Sequence, residues 1–437
     1  MVGMSMTSKS RHPGWYHGWS VVLATIVSQV AANGLGINSV SLFLHDWSAD
    51  LHSAVSQILL AIPGLGVAVA ICSPIMGTLA DRYPARWLFA LGLVGISIFS
   101  FAMSGVTATW QIWVLYGTLF PISIALCTTI VSNALVSRWF ARRIGLALGL
   151  SGIGVGISGV ALPPLIASIM PIIGWREVWR VAGLLTAGVV LPLVVWIVRE
   201  RSVELDGVRY MDANAATSFH HGHGAREGGG VRWRDILASR NFWLLVLCFI
   251  PIVGLYFGIQ YNLAPLAASR GLSPKTAGFL LAVLALLHVG ATPILGLASD
   301  RFGSRLPLTV VGILAMLGAL LLGYGGAHLA VLWVGVAFVG ISGSLWSLVA
   351  AAMLAEFGPA GVGRAFGALM LSLPVPAFAA TFIARFQESV GSYGPPLLVV
   401  GLLGLLGGAC TLFMRQRPSG HRQPAKGPML SVVDPKA

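Results

Sequence analysis

Runs of about twenty apolar residues recur along nearly the whole chain, and no other feature limits its fold so strongly. A helix that crosses the ~30 Å hydrocarbon core of a bilayer needs about 20 mostly apolar residues. Only 9% of the 437 residues are charged, whereas a soluble domain carries roughly 25% charged residues. The sequence therefore predicts an all-α membrane protein with twelve transmembrane helices. The predicted spans lie at about residues 19–44, 54–76, 87–105, 109–134, 145–171, 175–198, 242–268, 274–298, 306–326, 328–355, 365–386 and 394–414.

The longest polar interruption, residues 199–241, divides these spans six and six. It is rich in arginine and glycine, which predicts a solvated linker between two bundles. Its three histidines lie in a flexible glycine-rich loop without the rigid geometry that a metal requires, so we expect no metal and no cofactor. The predicted domains are an N-terminus at 1–18, bundles at 19–198 and 242–414, the linker, and a tail at 415–437.

The net charge of +13 would suit a nucleic-acid-binding protein. The positions of lysine and arginine relative to the predicted spans distinguish nucleic-acid binding from membrane topology as the reason for this charge. If the N-terminus is cytoplasmic, 22 of the 27 basic residues fall on the cytoplasmic side of the predicted spans. This bias follows the positive-inside rule. We therefore expect both termini in the cytoplasm, a bacterial inner membrane as the location, a lipid bilayer rather than nucleic acid as the partner, and a monomer.

One motif occurs twice. GTLADRYPAR at 77–86 follows the second span, and GLASDRFGSR at 296–305 follows the eighth. In this respect the chain resembles the major facilitator superfamily, whose loop between the second and third helices carries a G-x-L-A-D-R-x-G-x-R pattern. Pro84 stands where the pattern has glycine, and proline also serves a tight turn. The resemblance implies two pseudo-symmetric six-helix bundles that rock about a central site.

The repeated motif predicts a cytoplasmic gate. Glycine allows a neighbouring helix to pack closely, and an aspartate at the membrane edge can meet an arginine or the positive end of a helix. Arg138 is a predicted partner of Asp81, and Glu356 with Arg364 is the predicted equivalent in the second half. Alternatively, these charges only anchor helix ends among lipid headgroups. The predicted gate comprises Gly77, Asp81, Arg82, Arg86, Arg138, Gly296, Asp300, Arg301, Arg305, Glu356 and Arg364.

Two further stretches, WYHGWSVV at 15–22 and RWFARRIGLALGLSGIGVGISGVALPPL at 138–165, are similar to the monocarboxylate transporter and oxalate/formate antiporter branch. This resemblance implies a small organic acid as substrate. The eighth helix of that branch commonly carries an arginine that holds the substrate carboxylate, but Thr292 and Pro293 occupy the matching positions here. Some members place an aspartate one turn earlier, where this chain has His288.

His288 lies in the apolar run ALLHVGATPILG, and all fourteen acidic residues fall in loops or at span ends. A neutral imidazole avoids most of the cost of a charge in the bilayer and can still take up a proton near pH 6 to 7. The alternative is a histidine that only packs against a neighbouring helix. Polar pairs four residues apart share a helix face, and helices 1, 4, 7 and 10 surround the site in the resembled fold. The predicted substrate-binding residues are His288, Thr292, Gln29, Asn33, Tyr256, Gln260, Ser342, Trp346, Thr129 and Asn133.

Together these patterns predict a secondary transporter of a small organic acid, coupled to protons or working by exchange. A transporter of a neutral or amphiphilic compound is the first alternative, and a non-transporting membrane receptor is the second. We expect no enzyme, because no carboxylate pair, Ser/His/Asp set or metal-ligand cluster falls within reach of one site. Pro374 and Pro376 predict a hinge in the eleventh span, or a simple kink.

Overall fold

The computed structural model describes residues 17–127, 144–198, 233–326 and 328–414, together with 131, 132, 135, 136 and 139. This part of the chain contains helices and turns without a strand. Twelve of its helical segments are long and apolar enough to cross a membrane, which confirms the predicted all-α fold. We label these spans α1 to α12 in chain order.

The first half contains α1 to α6. Two short helices lie between α1 and α2 in the chain, at Val40–Asp50 and Val55–Ile58. The helices are α1 at His17–Asn33, α2 at Ala61–Arg82, α3 at Ala85–Ser104, α4 at Thr109–Gly117 and Leu119–Cys127, α5 at Ile144–Ile173, and α6 at Trp175–Leu185 and Leu191–Ile197.

The second half contains α7 to α12. A short helix at Trp233–Ala238 precedes it, inside the segment predicted to be a linker. The helices are α7 at Arg240–Ser269, α8 at Pro274–Phe302, α9 at Arg305–Tyr324, α10 at Leu329–Ser342 and from Leu345 to the break at Gly358, α11 from that break through Met370 and over Pro374–Val390, and α12 at Gly394–Cys410 with a final turn at Thr411–Phe413.

A π-helical turn at Gly34–Asn38 interrupts the first span. Its glycines are required by close neighbours, because a Cβ on Gly36 would collide with the ring of Phe120 in α4 and a Cβ on Gly34 with Leu162 in α5. Such turns are rare in helices and often mark functional sites. The turn changes the helical register at Asn38, which was not among the predicted site residues.

α11 is also broken, at the turn that precedes Pro374. Pro374 begins the next helix at its first position, where the missing N–H leaves no intrahelical bond unmade. α2 approaches this break closely, since a Cβ on Gly66 would lie 3.3 Å from the Cα of Pro374. The helix is therefore interrupted at the predicted place, and movement about the break stays a prediction.

The two halves meet most closely at one end. We call the end at which α1 begins the proximal end and the opposite end the distal end. α5 packs on α8 from the distal end to the middle, since a Cβ on Gly278 would lie 2.8 Å from the Pro163 carbonyl oxygen and one on Gly159 2.6 Å from Ala285. Further toward the proximal end, a Cβ on Gly149 or Gly290 would meet no described atom within 4 Å. Among the described residues, the contact of α5 with α8 is therefore closest between the distal end and the middle.

Candidate functional site

His288 in α8 contacts Tyr256 in α7. The imidazole Nδ1 lies 3.0 Å from the phenol oxygen, and either group can donate this hydrogen bond. The rings meet edge to face, with centroids 5.1 Å apart and an interplanar angle of 82°. Gly343 in α10 makes room for the phenol, because a Cβ there would lie 2.6 Å from the Tyr256 ring. His288 is half-buried, so its second ring nitrogen can face a ligand or water.

The backbone around His288 is also held by hydroxyl groups. Its carbonyl oxygen accepts a hydrogen bond from Thr292 Oγ1 at 2.8 Å and another from Ser344 Oγ of α10 at 3.0 Å. Thr292 therefore uses its hydroxyl proton within α8. Three helices of the second half fix the position of His288: α8 carries it, α7 supplies Tyr256 and α10 supplies Ser344.

Hydrogen bonds between amide and hydroxyl side chains join the two halves, one helical turn after Tyr256 on α7. Gln260 in α7 donates from Nε2 to Asn38 Oδ1 at 3.1 Å. Asn38 in turn donates from Nδ2 to Ser158 Oγ of α5 at 2.7 Å. Gln260 was predicted as a site residue, whereas Asn38 and Ser158 were missed. Asn38 follows the glycine-rich π turn, and that local GLGIN pattern was the available signal for it.

The other predicted binding residues on α1 lie inside the first half. Gln29 is 1% exposed, and its Nε2 donates to the Ser151 carbonyl oxygen of α5 at 2.9 Å. Asn33 is 6% exposed and donates to the Gln29 carbonyl oxygen at 2.9 Å. Both side chains are therefore buried inside the first half in this conformation, where α5 packs over α1, and their role in substrate binding stays a prediction.

The two predicted residues on α10 differ in their surroundings. Ser342 is fully buried, and its hydroxyl donates to the Val339 carbonyl oxygen of its own helix at 2.7 Å, so its role in substrate binding stays a prediction. Trp346 is half-buried and meets Phe249 of α7 edge to face, with ring centroids 4.9 Å apart. Thr129 and Asn133 in the fourth span lie outside the described residues.

The predicted cytoplasmic gate lies at the proximal end. A Cβ on Gly296 would meet no described atom within 4 Å, and its role in close helix packing stays a prediction. Glu356 accepts a hydrogen bond from Asn241 Nδ2 of α7 at 2.8 Å, within its own half. Arg86, Arg301 and Arg364 are exposed, and Arg305 is half-buried. Arg138 and the side-chain surroundings of Gly77, Asp81, Arg82 and Asp300 lie outside the described part of the structure.

Polar contacts close the distal seam between the halves. Both carboxylate oxygens of Glu388 in α11 accept from Ser56, one from its backbone N–H at 2.9 Å and one from its hydroxyl at 2.5 Å. Thr381 donates to the Leu59 carbonyl oxygen at 3.0 Å. Ser41 Oγ accepts from the Ala264 backbone N–H at 2.9 Å. These contacts must separate if the halves open distally.

Comparisons with known proteins agree with this architecture. The family model described as Major Facilitator Superfamily matches residues 26–287 and 255–435. Monocarboxylate transporter 11 of Homo sapiens is 27% identical over 414 residues, which cover 90% of this chain and 82% of the human protein. The riboflavin transporter RibJ of Trypanosoma brucei brucei is 27% identical over 219 residues, 49% of this chain and 39% of that protein.

Among solved structures, a bacterial homologue of the human lysosomal transporter Spinster, inward-facing and occupied, superposes with a TM-score of 0.71. The sequence identity is 15%, and the match covers 91% of this chain and 96% of the homologue. At this identity the likeness supports the fold alone.

Proposed function

From the premise that this chain belongs to the Major Facilitator Superfamily and is a multi-pass membrane transporter, not an enzyme, we propose that it carries a small organic acid. The acid moves together with a proton or in exchange for another acid. The central observation in support is the hydrogen-bonded pair of His288 and Tyr256, held by three helices of the second half.

The pair has the chemistry that carboxylate binding requires. Imidazolium and phenol groups both donate hydrogen bonds, and a bond to a charged partner contributes about 1.5–3 kcal/mol. Histidine is the side chain whose ordinary pKa places its charge change between pH 5 and 8. Protonation of His288 would therefore create a cation one helical turn before the position at which the resembled branch carries its arginine, and it would couple binding of the acid to a proton.

The proposed transport cycle requires the hydrogen bonds at the distal end to break and re-form. Gln260, next to Tyr256 on α7, holds Asn38 of the first half while the distal seam is closed. Release of this bond, together with the contacts of Glu388 and Thr381, would expose the pair to the distal side. We propose that the halves alternate in this way around His288, as in other transporters built from repeated bundles.

Uptake of radiolabelled small acids into proteoliposomes tests the proposal. We expect uptake to rise as the external pH falls from about 8 to about 5.5, the range in which an imidazole ordinarily titrates. His288→Ala should reduce uptake about 10- to 100-fold, because a charge-assisted hydrogen bond is lost. His45→Ala, a change at an exposed histidine near the distal end, is the matched control and should leave uptake unaltered. A flat pH profile, or full uptake by His288→Ala, would refute the proposal.

A neutral or amphiphilic substrate is the second candidate. It is supported by the aromatic contact between Trp346 of α10 and Phe249 of α7 and by the similarity to a riboflavin transporter over about half of the chain. The two candidates differ in their need for a carboxylate. If the methyl ester of a transported acid competes as well as the acid itself, the neutral substrate is favoured.

A further inference from the structure

A groove of about 330 Å³ lies on the distal seam, between α11 and the segment 55–60 that includes the short helix Val55–Ile58 and precedes α2. Leu60, Phe378 and Phe382 form its apolar walls, and these side chains are 40%, 52% and 44% exposed. Apolar side chains that remain exposed on a membrane-spanning surface face lipid chains. The groove therefore has the composition of a surface that an acyl chain can fill.

Charged groups stand at the distal end of this groove. Arg385 lines it and is exposed, and within the described part of the chain it forms neither an ion pair nor a side-chain hydrogen bond. Glu388 follows three residues later, so both side chains lie on one helix face about 5–6 Å apart at Cβ. Glu388 is exposed although each of its oxygens accepts one hydrogen bond from Ser56. A carboxylate has about four lone-pair sites, so Glu388 can accept further donors.

We propose that this groove binds phosphatidylethanolamine. One acyl chain lies along Leu60, Phe378 and Phe382, the phosphate accepts hydrogen bonds from the Arg385 guanidinium, and the ammonium group donates to the Glu388 carboxylate. Charge complementarity selects this headgroup. An anionic phosphatidylglycerol would meet the carboxylate without a compensating cation, and the quaternary ammonium of phosphatidylcholine has no N–H to donate.

The site exists only while the seam is closed. The short helix Val55–Ile58 belongs to the first half and α11 to the second, and Ser56 and Thr381, which join the halves, are themselves part of the groove wall. A lipid bound there contacts both halves at once. Because a ligand shifts an equilibrium toward the state it binds, phosphatidylethanolamine should favour the distally closed conformation.

Native mass spectrometry of the full-length chain, delipidated in detergent and titrated with three dioleoyl lipids, tests the site. Phosphatidylethanolamine is expected to bind about tenfold more tightly than phosphatidylcholine, the lower end of the effect of one hydrogen bond to a charged group. Arg385→Gln should weaken binding of both lipids. Glu388→Gln should remove the preference, so that phosphatidylethanolamine and phosphatidylcholine bind with equal affinity.

Two control variants distinguish the loss of headgroup contacts from the loss of contacts that hold the seam closed. Ser56→Ala removes the hydroxyl bond to Glu388 but keeps both headgroup-binding side chains, so the lipid preference should persist. Arg180→Gln alters another distal arginine, which already pairs with Glu177, and should have no effect. The proposal is overturned if phosphatidylglycerol binds most tightly, if the lipids bind equally, or if Ser56→Ala abolishes the preference.

Discussion

The hydrogen bond between Gln260 and Asn38 holds α7 to the end of α1, and its removal is expected to loosen the distal end. Gln260→Met keeps the length of the side chain and removes the Nε2 donor that lies 3.1 Å from Asn38 Oδ1. Gln260 is 6% exposed, whereas Asn38 is half-buried and can be hydrated once the bond is lost. The net contribution of such a bond is about 0.5–1.5 kcal/mol. The ratio of distally open to distally closed molecules should therefore rise about 2- to 12-fold.

Distance measurements by pulsed electron paramagnetic resonance would report this ratio. Spin labels at Thr107 and Ser392, which are exposed distal positions on different halves, can be placed after the four native cysteines are replaced by alanine. Asn38→Ala and the double variant complete a cycle whose coupling energy should be about 1 kcal/mol. His45→Ala, at an exposed distal side chain, is the control. An unchanged distance distribution in Gln260→Met, with strictly additive variants, would refute the role of this bond.

Two further predictions concern packing and pH. Gly408→Leu should strongly lower the thermal stability of the detergent-solubilised protein, because a Cβ there would lie 2.9 Å from the Gly312 Cα in α9, while Gly290→Ala, which meets no described atom, should be tolerated. Asp50 accepts hydrogen bonds from Trp175 and Arg176, and these lower the pKa of its carboxyl from 3.8. A group with a lowered pKa stabilises the folded state above its unfolded pKa and loses that contribution as the pH falls. Asp50→Asn should therefore reduce thermal stability at pH 7, and this deficit should shrink as the pH falls below 3.8. A deficit that stays constant as the pH is lowered through this range would contradict this.

The sequence was sufficient to predict the twelve spans, because the length and polarity of a transmembrane helix follow from bilayer thickness. It was also sufficient to single out His288, since an ionisable side chain in an apolar run is costly and therefore informative. Its partner Tyr256 was predicted as a separate member of the site, and their contact emerged only with the packing of α7 on α8.

The remaining differences between the predicted and the observed site arise from features that helical periodicity cannot predict. Gln29 and Asn33 share a helix face as predicted, but α5 covers that face, and a one-dimensional pattern cannot identify which neighbour packs on it. The π turn moves Asn38 into contact with Gln260 and Ser158, and a regular 3.6-residue repeat would not place it there. Glu388 was counted as a residue at a span end, and its contact with Ser56 depends on the closed distal seam.

The central proposal is that His288 and Tyr256 bind an organic acid together with a proton, and the pH inside vesicles tests it most directly. Proteoliposomes that contain a trapped pH-sensitive dye should acidify when a transported acid is added outside, faster than protein-free vesicles that report passive diffusion. Vesicles with His288→Ala should acidify no faster than the protein-free control. If wild-type vesicles accumulate a labelled acid without faster acidification, or if His288→Ala acidifies them at the wild-type rate, proton-coupled transport through this pair is contradicted.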